Sequence, residues 1–179
     1  MAEKNLDFDT VIDRTHTNSL KYDFAVQRGK PKDVLPLWVA DMDFQVSSYI
    51  QEALSGNVAH GIFGYSEAEG SYFEAVAGWM SRHYGWNVEE TWLVKTPGIV
   101  FALAQAVRAF TEPGDAVLLQ QPVYYPFSQV IRDNGRKIVD NTLVQGEDGR
   151  YRIDFTDFEE KIRSAHVKLF FLCNPHNPV

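Results

Sequence analysis

Along the first 45 residues the hydrophobic positions keep no steady period. Charges are scattered, Pro31 and Pro36 interrupt, and the stretch closes on the compact apolar–acidic run LPLWVADMDF. Helical patterning begins near Ser48, where Ile50 and Leu54 share a face and Ser48 and Gln51 have capping-box spacing. HGIFGYS, with glycines at 61 and 64, predicts a loop. Ser71 and Glu74 make a second capping-box pair. After them Phe73, Val76, Ala77 and Met80 line one helical face, and Gly85 supplies a stop.

From residue 91 onward short apolar runs alternate with helical periods. TWLVK (91–95) predicts a strand, TPG a turn, and IVFALAQAVRAF (99–110) a helix apolar on most faces and therefore largely buried. EPGD predicts a turn and AVLLQ (116–120) a buried strand. PVYYPF is a loop in which Pro126 is placed to open a helix that ends at Asn134-Gly135. RKIVDNTLV (136–144) predicts a strand and GEDGR a turn. Thr156 with Glu159 caps a helix to about Ser164, and VKLFFLC (167–173) is the last strand. Strands alternating with helices imply an α/β fold with a mainly parallel sheet covered on both faces. Ligands on such sheets sit at the carboxyl ends of the strands. Three segments fall there: TPGIV, QPVYYPF and NPHNPV.

Composition narrows the classes. A 179-residue chain that is 45% hydrophobic holds enough apolar material for a substantial core. The net charge of −7, with no basic block, argues against a nucleic-acid partner. A single cysteine excludes an internal disulfide framework and suits a reducing, cytoplasmic compartment. The first twenty residues are too polar and acidic for a signal peptide. No apolar run approaches the roughly 20 residues of a membrane span, so no membrane partner is expected. The histidines at 16, 60, 83, 166 and 176 lack metal-ligand spacing, and no metal site is expected. Cys173, at the end of an apolar run, is expected to be a buried core thiol.

Each predicted strand end has a chemical reading and a plainer one. Thr96-Pro97-Gly98 opens a helix whose first amides have no internal acceptors, a seat for an anion, or is simply a strand-to-helix turn. Tyr124 and Tyr125 follow a buried strand, where a phenol ring stacks on a planar ligand or packs in a core. Asn174 and Asn177 offer side-chain amides on a loop stiffened by Pro175 and Pro178, or form turns chosen for geometry alone. Taken together, a phosphate seat, a stacking ring and an orienting amide on one sheet edge describe a site for a flat, phosphorylated heteroaromatic.

The stretches DFDTVIDR, LPLWVADMDF, HGIFGYS, PGIVFAL, PVYYPF and LCNPHNPV resemble the class I/II aminotransferases that use pyridoxal 5′-phosphate. Within that group the chain is similar to the cystathionine β-lyase-like C–S lyases of the MalY/PatB type. The resemblance implies the fold type I large domain of pyridoxal-phosphate-dependent transferases, truncated and preceded by an irregular N-terminal arm. It places the arm or small-domain segment at 1–45 and the first part of the cofactor-binding domain at 46–179. It implies that Gly98, Ile99 and Val100 hold the cofactor phosphate, that Tyr124 stacks on the pyridine ring, and that Asn177 hydrogen-bonds the ring's 3′-oxygen. Tyr65 is implied to reach the cofactor phosphate of a partner chain in a homodimer, and Ala40 and Asp41 to border an amino-acid substrate. For residues 38–44 the plainer reading is packing of Trp38 and Phe44. The implied reaction is β-elimination from cystathionine- or cysteine-type amino acids to pyruvate, ammonia and a thiol, with transamination or a non-catalytic relative as alternatives. The family's Schiff-base lysine is expected beyond Val179, so this chain holds no catalytic residue of its own and is expected to be inactive alone.

Overall fold

The computed structural model describes residues 7–179. The chain divides into two compact units, Met1–Ala68 and Glu69–Val179. In the first, residues 7–47 form an irregular arm with a single 3-10 turn at Val26–Arg28, as expected, and lead into helix α1 (Ser48–His60). Gly61, at φ 74°, closes α1 through a bond from its amide to Asn57. The capping box expected at Ser48 is not formed. The N-cap is Ser47, so Ser48 already sits inside the helix, and Gln51 Nε2 instead donates to the Val46 carbonyl at 2.7 Å.

The second unit opens with α2 (Gly70–Tyr84), which ends at Gly85 with φ 62°. Its N-cap is Glu69, which places Ser71 too far into the helix for the expected box. Phe73, Val76 and Met80 of α2 line an apolar cleft of about 200 Å3 with Trp86, Val88, Trp92 and Leu93. The strand expected at 91–95 is not formed. Glu90–Trp92 is a 3-10 turn, Leu93 is extended, and no described strand lies beside it to complete a ladder.

From α3 (Ile99–Phe110) onward the order is β1 (Ala116–Leu119), α4 (Pro126–Asp133), β2 (Lys137–Asp140), β3 (Val144–Gln145), β4 (Tyr151–Arg152), α5 (Phe155–Ser164) and β5 (Val167–Phe170). β1 is central in a parallel sheet of order β2-β1-β5, with Val117 opposite Ile138 and Leu169. β3 and β4 form a small antiparallel hairpin over the segment read as one turn. The expected strands 136–144 and 167–173 are therefore shorter, because ladder pairing stops at Asp140 and Phe170. Asp154, two residues before Thr156, caps α5 by accepting the amides of Thr156 and Asp157.

Alternation along the strands assigns the two faces. Val117, Leu119 and Phe171 join Val107 of α3 and Val130 and Ile131 of α4 in one buried cluster, with Leu169 and Ile138 against it. Phe170 points the other way and meets Phe158 of α5 edge to face, 5.2 Å between centroids. Helices thus cover both sides of the sheet. α3 is less buried than its apolar sequence suggests: Val107 is enclosed, but Ile99 and Phe110 are each 70% exposed, because only one side of the helix faces the sheet.

Candidate cofactor site

The amino edge of the sheet fixes the direction of the helices. Arg136 donates to the Thr111 carbonyl and hydroxyl at 2.5 and 2.9 Å, Arg108 reaches Asn134 at 2.7 Å, and the Gly114 amide bonds Gly135. The C-terminal ends of α3 and α4 are thereby tied together where β1 and β2 begin. Both helices run antiparallel to the strands, and α3, with 12 residues, is about 18 Å long. The 121–125 loop, which leads into α4 at Pro126, and the 172–178 loop follow the carboxyl ends of β1 and β5, and among the described residues no hydrogen bond joins either of them to Thr96–Val100.

At the head of α3, Gly98 adopts φ 97°, ψ 159°, a conformation essentially reserved for glycine. Its amide bonds Thr96 at 2.7 Å, and the Thr96 hydroxyl donates to the Gly98 carbonyl at 3.1 Å. Among the described residues no side chain caps the helix and none lies within 4 Å of a Cβ built at Gly98, and the first turn carries no acidic residue. The Ile99 and Val100 amides thus head an open, unopposed helix terminus.

The second and third strand ends meet directly. The Tyr124 amide donates to the Asn177 carbonyl at 2.9 Å, and His176 Nε2 lies 2.7 Å from the Pro122 carbonyl. Tyr124 is 41% exposed, and its ring packs edge to face on Tyr125. Among the described residues, neither the Tyr124 hydroxyl nor the Asn177 carboxamide has a hydrogen-bond partner. A separate cleft of about 480 Å3 opens beside the β3–β4 hairpin, lined by Arg150, Arg152, Cys173 and His176 but by neither Tyr124 nor Asn177. Cys173 is partly exposed rather than in the core, since the ladder ends at Phe170 and the thiol faces the Pro175 carbonyl at 3.6 Å.

A buried polar knot supports this edge. Asn141, fully enclosed, accepts from Gln120 at 2.9 Å and donates to the Asp154 carbonyl at 3.0 Å and the Asp157 carboxylate at 2.8 Å. Lys161, paired with Asp157 at 2.8 Å, also reaches the Asp140 carbonyl. Lys161 first, then Asn141, holds the Asp157 carboxyl below its usual range. Asp140 accepts the Gln121 amide at 3.0 Å and so fixes the root of the Tyr124 loop.

In the first unit, Arg14 grips both aspartates of the ADMD run, Asp41 at 2.7 Å and Asp43 at 2.6 Å. Lys21, 4% exposed, donates to the Asp41 carbonyl at 2.7 Å and faces Asp43 at 3.3 Å. The bonds from Arg14 hold both carboxyls below their usual range and raise the guanidinium's own pKa. Ala40 is exposed beside Val39, which is left-handed at φ 64°. Trp38 lies under Lys30, and Phe44 packs on Phe8. Tyr65 stands fully exposed on the loop after α1. Sequence reasoning missed Arg14, Lys21 and Asn141: their partners lie 13 to 29 residues away, beyond the reach of any local period. Among the described residues no group of side chains is arranged to hold a metal ion, and no helix is long and apolar enough to cross a membrane.

The sequence model for aminotransferase class I and II matches residues 32–179. The chain belongs to that family. It is 47% identical over 173 residues to cystathionine beta-lyase PatB of Bacillus subtilis, covering 97% of this chain and 44% of the relative. A PLP-bound putative aminotransferase from Clostridium difficile superposes with a TM-score of 0.90 at 36% identity, over 98% of this chain and 45% of that one. Cystalysin from Treponema denticola, whose crystal structure contains pyridoxal 5′-phosphate, gives 0.87 at 36% identity over the same shares. This aminotransferase-family chain thus spans under half the length of the relatives it matches, and its α/β architecture is that of the fold type I enzymes.

Proposed function

We propose that this chain is part of a pyridoxal-phosphate-dependent C–S lyase that releases pyruvate, ammonia and a thiol from cystathionine- or cysteine-type amino acids. The backbone bond from the Tyr124 amide to the Asn177 carbonyl carries the reading, because it brings together a phenol and a carboxamide that have no hydrogen-bond partner among the described residues. The open glycine turn at Gly98 suits a phosphate for the same reason: its amides are unopposed and no side chain crowds them.

In this reading the Ile99 and Val100 amides and Gly98 take the phosphate, through the partial positive charge of a helix start. Tyr124 stacks on the pyridine ring and limits its motion. Asn177 donates to the ring oxygen and sets its orientation. The cofactor supplies an electron sink for negative charge at the substrate α-carbon. Ala40 and Asp41 border the substrate, with Arg14 and Lys21 holding their segment in place. Tyr65 completes the site of a second copy in a cytoplasmic homodimer. Residues 1–45 act as the arm and 46–179 as the beginning of the cofactor domain. The proton-transferring lysine is assigned to the part of the family's length that this chain does not cover.

The test is an assay of the protein from its own source with L-cystathionine, following pyruvate and thiol release, beside amino transfer to a keto acid. Pyruvate release supports the lyase. Amino transfer without pyruvate overturns it in favour of an aminotransferase on the same scaffold.

A further inference from the structure

His176 stands between two Asn-Pro pairs at the carboxyl end of β5. The last ladder bond of that strand runs from the Phe171 amide to Leu118. Beyond it Pro175 and Pro178 have no N–H to donate. Among the described residues, two hydrogen bonds tie 172–179 to the rest of the chain: His176 Nε2 to the Pro122 carbonyl, and the Asn177 carbonyl to the Tyr124 amide. The facing loop is held far more firmly. Gln121 donates its amide to Asp140, accepts from the Leu143 amide at 2.7 Å and reaches Ser128 Oγ at 3.2 Å, while Pro126 is buried at the head of α4.

We propose that His176 is a positioning residue. Its imidazole fastens the loop bearing Asn177 to the anchored loop bearing Tyr124, and so sets the spacing of the two groups that grip the cofactor ring. This rests on the function proposed above. Because a carbonyl only accepts, Nε2 carries the proton of this bond. A glutamine amide reaches a similar point with a donor, whereas alanine removes it and leaves the Tyr124–Asn177 bond to hold the loop by itself.

The test is amide hydrogen exchange at Tyr124, with the β1 amides as internal reference. His176→Ala is expected to speed exchange at Tyr124 by roughly two- to twelvefold, the range given by a net hydrogen bond of about 0.5–1.5 kcal/mol. The β1 rates should not change, and His176→Gln should restore most of the protection. Unchanged Tyr124 exchange in His176→Ala overturns the proposal. So does an equal acceleration in both variants, or a rise in the β1 rates by the same factor. A parallel absorbance titration of the parent with pyridoxal 5′-phosphate keeps the two ideas apart: failure to bind counts against the proposed function, and the exchange data still judge the clamp.

Discussion

Replacing Asn141 with alanine tests the support beneath the candidate site. Asn141 is fully enclosed, and its three bonds join β1, through Gln120, to the start of α5. Truncation strands the Gln120 amide, itself only 2% exposed. A buried donor left without an acceptor costs about 1–3 kcal/mol. Losing the bond to the Asp154 carbonyl adds about 0.5–1.5 kcal/mol. The sum, about 1.5–4.5 kcal/mol, is a large part of the roughly 5–15 kcal/mol typical of a folded protein. With a urea m-value of about 2 kcal/mol/M, the unfolding midpoint should fall by about 1–2 M. Adding Gln120→Met should cost less than it does in the parent, because the stranded donor is then gone. A midpoint that moves by less than about 0.25 M, or additive costs in the double variant, refutes the idea that this knot is a cooperative support.

Three further outcomes follow from the same geometry. Gly98→Ala forces a side chain into φ 97°, ψ 159° while meeting no neighbour, so the expected loss of about 1–3 kcal/mol is purely a backbone effect and should appear as a lowered thermal midpoint; no change would mean the turn relaxes freely. Asp41 and Asp43 have depressed folded pKa values, chiefly through Arg14, so their contribution is present at neutral pH and is lost as pH falls below the usual carboxylate range through the folded values. Arg14→Gln should therefore flatten the loss of stability as pH falls below about 4, read from thermal midpoints on the acid side, and an unchanged slope would show the clasp carries no such linkage. Tyr124→Ala should weaken pyridoxal 5′-phosphate binding about two- to twelvefold, the range of an aromatic pair worth about 0.5–1.5 kcal/mol, with Tyr124→Phe close to the parent in a fluorescence titration; equal losses in both would assign the effect to the hydroxyl instead.

Apolar periodicity, together with proline, glycine and capping residues, located every α-helix and the three strands of the parallel sheet among the described residues, because one apolar face per element is what a layered fold requires. It failed where structure depends on something outside the window. TWLVK has strand composition but no neighbour to pair with among the described residues, and a strand exists only through its ladder. The capping residues were placed one or two positions late because the helix starts are set by backbone geometry: Ser47, Glu69 and Asp154 precede the serines and threonine that carry the spacing. The Arg14 clasp on Asp41 and Asp43 spans 27 and 29 residues, and no local pattern announces it.

The candidate site residues were chosen for a different reason. A strand that runs into Asn-Pro pairs has to end in a loop with few amides to give, and such a loop is held by whatever else it offers. Here those ties are one imidazole and one carbonyl, both spent on the Tyr124 loop. The carboxamide of Asn177 stays uncommitted among the described residues, as does the hydroxyl of Tyr124. The residues that look most like loop chemistry in NPHNPV therefore divide their labour. The prolines remove competing donors, the histidine fastens, and the asparagine keeps a side chain that, in the proposed function, faces a ligand. That division explains why the amides could be picked out from residue type alone, while the histidine that sets their position became visible only once the two strand ends lay side by side.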